Sequence, residues 1–128
     1  MIGIVIVAHG GLAREYLAAV EHVVGKQSHI YAISTLPDDD RQEKQNEICN
    51  AADQVDSGAG VVVVTDIFGG SPSNLSLRAC SHQNRRILYG MNLPMLIKLA
   101  KCRDLTVPAA VEEALNAGRK YINSYKID

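Results

Sequence analysis

Three short stretches hold most of the chemistry-bearing residues of this 128-residue chain. His9-Gly10-Gly11 closes the opening run MIGIVIVAHGG, Asp66 opens the segment DIFGGSPSN up to Asn74, and Gly90-Met91-Asn92 precedes LPML. An imidazole with no side-chain bulk directly behind it is open to an incoming reactant. A carboxylate on one ring nitrogen would fix the tautomer and leave the other nitrogen as a nucleophile. Gly69-Gly70 leads into Ser71-Pro72, a helix-start signature whose free backbone N–H groups and dipole favour an anion. Nucleophilic imidazole, orienting carboxylate and anion cradle together suit capture and release of a phosphoryl group. Each alone has a plainer reading: a strand-end histidine, a helix cap or turn aspartate, a tight glycine turn.

The elements that would position them read as alternating strands and helices. Ile2–Ala8 and Gly60–Thr65 are nearly continuous Ile/Val runs, the pattern of strands covered on both faces in a parallel sheet. Ile30–Leu36 is more mixed and Arg86–Tyr89 is a weaker fourth strand. Helical spacing occupies Leu12–Val24, stopped by Gly25, and Asp38–Val55, which opens on aspartates suited to capping. Ser71–His82, with Ser71 as the expected cap, Leu93–Lys101 and Val107–Lys120 complete the set. This is an α/β pattern with a mostly parallel sheet, helices on both faces, right-handed crossovers and one domain over 1–128. In such sheets ligands bind beyond the carboxyl ends of the strands, where strand order reverses. An order of 2-1-3-4 would bring His9 and Asp66 face to face there.

Composition narrows the classes. The chain is 47% hydrophobic and 21% charged with a net charge of −1, which gives no sign of a nucleic-acid or anionic-membrane partner. No apolar run approaches the ~20 residues of a membrane span. The chain enters its first strand with no basic leader, so a signal peptide is not expected. Three cysteines, Cys49, Cys80 and Cys102, have no CxxC spacing and read as reduced helix residues. No metal-ligand spacing is present, and His22, His29 and His82 lie on helices or before a strand, away from the three turns.

VAHGG after the first strand, TDIFGGSPSN after the third and GMNLPML after the fourth resemble the mannose-type enzyme IIA domain of the bacterial sugar phosphotransferase system, over essentially the whole chain. The resemblance implies a cytoplasmic phosphocarrier that needs no cofactor. The histidine matching His9 takes a phosphoryl group from the phosphocarrier protein HPr and passes it to a IIB partner, in sugar uptake or its regulation. The aspartate matching Asp66 holds that histidine, and the serine matching Ser71 lies beside the phosphoryl group. Gly10, Gly69, Gly70 and Asn92 would bind the phosphoryl group or shape its site. The resemblance also implies the 2-1-3-4 sheet and a homodimer that exchanges an antiparallel C-terminal strand, placed here at Lys120–Ile127. Many transport members carry aromatics at the positions of Gly11 and Phe68 and a bulky residue at that of Ser73, which implies a different partner-facing rim. They also continue through a linker into a IIB domain, a linker not found before Asp128.

Two other functions fit the residue types. In a hydrolase, Ser71 would be the nucleophile of a triad with His9 and Asp66, but no G-x-S-x-G elbow is present and a capping Ser71 would have its hydroxyl occupied. A non-catalytic module binding phosphate or a protein partner would need the glycines and helix start, with no need of His9.

Overall fold

A computed structural model describes residues 1–67, 70–81 and 84–128. Four parallel strands, β1 (Gly3–His9), β2 (Ile30–Thr35), β3 (Val61–Thr65) and β4 (Arg85–Leu88), form one sheet in the order β2-β1-β3-β4. In register, Val7 lies opposite Ile33 on one side and Thr65 on the other. The two central strands are the continuous apolar runs, because only they are flanked by strands on both edges and by helices on both faces.

Alternation along the strands divides the core in two. Ile4, Ile6, Val62, Val64 and Leu88 face helices α1 (Leu12–Val24), α4 (Leu93–Lys101) and α5 (Val107–Lys120). Val5, Val7, Ile33, Val61 and Val63 face α2 (Arg41–Val55) and α3 (Ser71–Ser76), which runs on into a 3-10 turn at Leu77–Cys80. Gly3 is explained by this second layer: a Cβ there would meet the Val55 carbonyl oxygen and lie 2.5 Å from Val55 Cγ2.

The helices mostly begin where the sequence says they must. Asp40 caps α2 by accepting from the Glu43 N–H (2.8 Å), so that helix starts at Arg41 and not at Asp38. Thr106 caps α5 through the Ala109 N–H, and Gly25 ends α1 with φ +90°. α3 is shorter than its spacing suggests. Its residues SPSNLS include only one strong helix former, Leu75, and the Ser76 hydroxyl donates back to the Pro72 carbonyl at 2.6 Å. The expected end at His82 lies outside the described residues. Residues 121–128 form no strand and are exposed throughout.

Arg85, at the start of β4, is buried and holds the far side of α2. Its guanidinium donates to Asp53 Oδ1 (2.9 Å), Asp56 Oδ2 (3.1 Å) and the Ala79 carbonyl (3.1 Å). Burial pushes the Asp56 carboxyl up, but bonds from the Gly58 N–H, the Arg85 guanidinium and the Gly60 N–H outweigh it and leave it below the usual carboxylate range. A depressed native pKa adds stability above the unfolded value of about 3.9, and that stability is lost as pH falls through the native value. Asp56→Asn is therefore expected to cost roughly 1–2 kcal/mol near neutral pH. Urea titrations should also show a shallower loss of stability than wild type between about pH 5 and pH 3.

Candidate functional site

β1 is buried along its length until His9, where the side chain emerges half-exposed. The chain then turns at once: Gly10 adopts φ +56° while its N–H bonds the Thr35 carbonyl at the end of β2 (3.0 Å). Asp66 follows β3 directly, and the pairing of β1 with β3 brings it to His9. Asp66 Oδ2 accepts from the His9 backbone N–H (3.1 Å) and contacts ring Nδ1 (2.8 Å), while Oδ1 accepts from the Ile67 N–H (2.9 Å).

Burial pushes the Asp66 carboxyl up, but the His9 ring, the His9 backbone N–H and the Ile67 N–H together hold it below the usual range. Asp66 is thus a carboxylate at neutral pH and can only accept. The Nδ1 atom therefore carries the shared hydrogen, and Nε2 is left with its lone pair. Gly70, which precedes α3, lies against the other side of the ring. A Cβ on Gly70 would sit 3.2 Å from His9 Cε1 and 3.7 Å from Nε2. The missing side chain brings the backbone at the start of α3 beside Nε2.

Ser71 is the first residue of α3 and not its cap. Gly70 occupies the cap position, with no side-chain capping bond, and the proline comes one residue later than a Ser71 cap would place it. The Ser71 side chain is exposed and lines a cleft of about 500 Å³ together with His9, Gly10, Thr35, Leu36, Pro37, Asp39, Arg41 and Leu75. The ring bond of His9 goes to Asp66, and none joins His9 to Ser71 among the described residues. The relay of a serine hydrolase is not assembled.

Other expected residues part company. Asn92 caps α4: its Oδ1 accepts from the Met95 N–H (3.0 Å) and its Nδ2 donates to the Gly118 carbonyl (2.8 Å). The amide oxygen caps α4 and the amide nitrogen ties it to α5, and Asn92 is not among the residues lining the His9 cleft. Ser73 is buried, donating to the Gly70 carbonyl (3.2 Å), so it cannot form part of a partner-facing rim. Gly11 is exposed beside the site. Gly69 and Phe68 lie outside the described residues, as does His82. His22 and His29 are exposed and do not line the cleft. Among the described residues no group of three His, Cys, Asp or Glu side chains could hold a metal ion. The wall formed by Leu36, Pro37, Asp39 and Arg41 was not anticipated from the sequence. It follows β2, and the rule applied to the other strand ends would have found it, but the stretch lacks the glycines that drew notice elsewhere.

A four-stranded parallel sheet of order 2-1-3-4, with a carboxylate-held, half-exposed histidine where the order reverses, defines an α/β protein with one solvent-open imidazole at its switch point. The sequence matches the family model described as PTS system fructose IIA component (EIIA-man) over residues 3–117, and the chain belongs to that family. It is 27% identical over 128 residues to the PTS system mannose-specific EIIAB component of Escherichia coli (strain K12), covering 98% of this chain and 40% of that protein. It is 25% identical over 123 residues to the PTS system sorbose-specific EIIA component of Lacticaseibacillus casei, covering 94% and 88%. Among solved structures, the PTS IIA protein associated with the fucose utilization operon from Streptococcus pneumoniae superposes with a TM-score of 0.82 at 29% identity, covering 94% of this chain and 91% of that one. The phosphotransferase system component EIIA from Streptococcus agalactiae shares the fold with a TM-score of 0.87 at 24% identity, covering 97% of each.

The tautomer assignment can be read directly. Nitrogen-15 NMR of the neutral His9 ring should show a protonated Nδ1 and a bare Nε2. Asp66→Asn should shift the ring toward a mixture of tautomers, because an amide can donate to Nδ1 as well as accept from it. An unchanged spectrum in that variant would show that Asp66 does not set the tautomer.

Proposed function

We propose that this chain is a phosphocarrier of the sugar phosphotransferase system, with residues 1–128 acting as one IIA domain. In this reading His9 Nε2 accepts a phosphoryl group from phosphorylated HPr and passes it to a IIB partner. The observation that supports it most is the Nδ1–Asp66 bond of 2.8 Å, which leaves Nε2 bare on a half-exposed ring that lines the cleft.

The transfer balances without moving a proton. Nε2 attacks the donor's phosphorus in line, an N–P bond forms to His9, and the N–P bond to the donor imidazole breaks. The donor ring leaves neutral, and the positive charge it held reappears on the His9 ring. Asp66 lies against Nδ1 where that charge develops and stabilises it. The Ser71 hydroxyl and the backbone at the start of α3 face the phosphoryl oxygens, and positioning and charge stabilisation supply the rate, as in other phosphoryl transfers. Leu12, Leu36 and Ile67 are exposed apolar side chains at this end of the sheet, suited to a protein partner that brings its own histidine.

We further propose a homodimer in the cytoplasm. Tyr125 and Ile127 are 90% and 89% exposed, and β4 is an edge strand. A tail laid antiparallel against the partner's β4 would cover both. No described helix is long and apolar enough to cross a membrane. Sedimentation of the full chain should give a dimer, and Tyr125→Asp with Ile127→Asp should give monomers.

Incubation with phosphoenolpyruvate, enzyme I and HPr, followed by intact mass spectrometry, tests the carrier role. Wild type should gain one acid-labile phosphoryl group, His9→Ala none, and Ser71→Ala should be labelled about 10-fold more slowly. A hydrolase would lose all activity in Ser71→Ala, and a non-catalytic module would show no gain in wild type.

A further inference from the structure

The cleft beside His9 has a wall that the transfer scheme leaves unused, and one residue of it stands out. Among the nine described residues that line this cleft, Arg41 alone carries a permanent positive charge, and it shares the space with His9 and Ser71. The two acidic residues directly before it are engaged elsewhere. Asp39 Oδ2 accepts from the Leu36 N–H (2.7 Å) and pairs with Lys44 (3.6 Å), and Asp40 Oδ1 is the cap on the Glu43 N–H. Arg41 itself is exposed and makes no ion pair among the described residues.

Its position is also costly for the helix. Arg41 is the first residue of α2, where the helix dipole presents its positive end and a cation is repelled. A guanidinium there, exposed, without an ion pair among the described residues and sharing a cleft with the His9 ring, fits a group waiting for a dianion. We propose that Arg41 binds the phosphoryl group in transit at His9, its forked N–H groups pairing with two phosphoryl oxygens across the cleft from Ser71. This rests on the phosphocarrier reading and extends it. Asp66 serves the ring, the start of α3 serves one side of the phosphoryl group, and Arg41 serves the other. The N–P bonds that form and break are those given above, and Arg41 contributes charge without exchanging a proton.

The test compares wild type, Arg41→Gln and Arg41→Lys with two donors, phosphorylated HPr and the small molecule phosphoramidate. With both donors Arg41→Gln should take up the phosphoryl group about 10- to 100-fold more slowly, the loss of one charge-assisted contact, and Arg41→Lys should recover part of the rate. The melting temperature of Arg41→Gln should not fall, since the substitution removes an unfavourable charge from the helix start; a fall matching the rate loss would mark a structural role and overturn the assignment. A deficit with phosphorylated HPr alone would mean that Arg41 touches the donor protein and not the phosphoryl group, and would also overturn it. Labelled wild type with Arg41→Gln unaffected removes Arg41 and leaves the carrier reading intact. Wild type unlabelled by either donor removes both.

Discussion

One carboxylate oxygen organises the functional end of this protein. Asp66 Oδ2 takes the backbone N–H and the ring Nδ1 of the same residue, His9, and it can do so only because β1 and β3 are neighbours. That adjacency follows from the reversal of strand order, in which the second strand is laid on the far side of the first. The backbone bond holds the turn after β1 and the ring bond holds the imidazole. A displacement of either strand end would break both together.

The same constraint explains why small residues crowd around the imidazole. Gly10 turns the chain away with a left-handed conformation, and Gly70 lets the start of α3 approach the ring at a distance where a side chain would crowd it. Below this rim the structure is filled by ordinary means, with β-branched side chains on both faces of the two central strands. The packed strands beneath leave the ring accessible from the cleft above.

The fold was legible because its signals are strong and local. Continuous Val and Ile runs marked β1 and β3, Gly25 marked the end of α1, and α1, α4 and α5 fall where their periodicity puts them. The misses have physical causes. α3 gives way to a 3-10 turn because serine hydroxyls compete for its backbone carbonyls, and α2 starts late because of three consecutive aspartates the last is the one that caps. His9 and Asp66 could be paired from sequence because strand order alone brings them together. The bonding of Asn92 to Gly118 could not, because it depends on how closely α5 packs on α4 at a glycine. Nor does a string of letters separate the outward Ser71 from the inward Ser73.

At the opposite end of the sheet, the Arg103 side chain donates to the Ile2 carbonyl (2.8 Å), a partner 101 positions earlier, and to the His29 carbonyl (2.8 Å). This clasp bears on how the chain is made. During synthesis the first strand leaves the ribosome long before residue 103 exists, so the early βαβ portion must wait without the guanidinium that joins these two carbonyls. Closure comes when α4 has emerged and docked. The clasp therefore belongs to a late stage of assembly, and it makes the fold's cooperativity a property of most of the length of the chain.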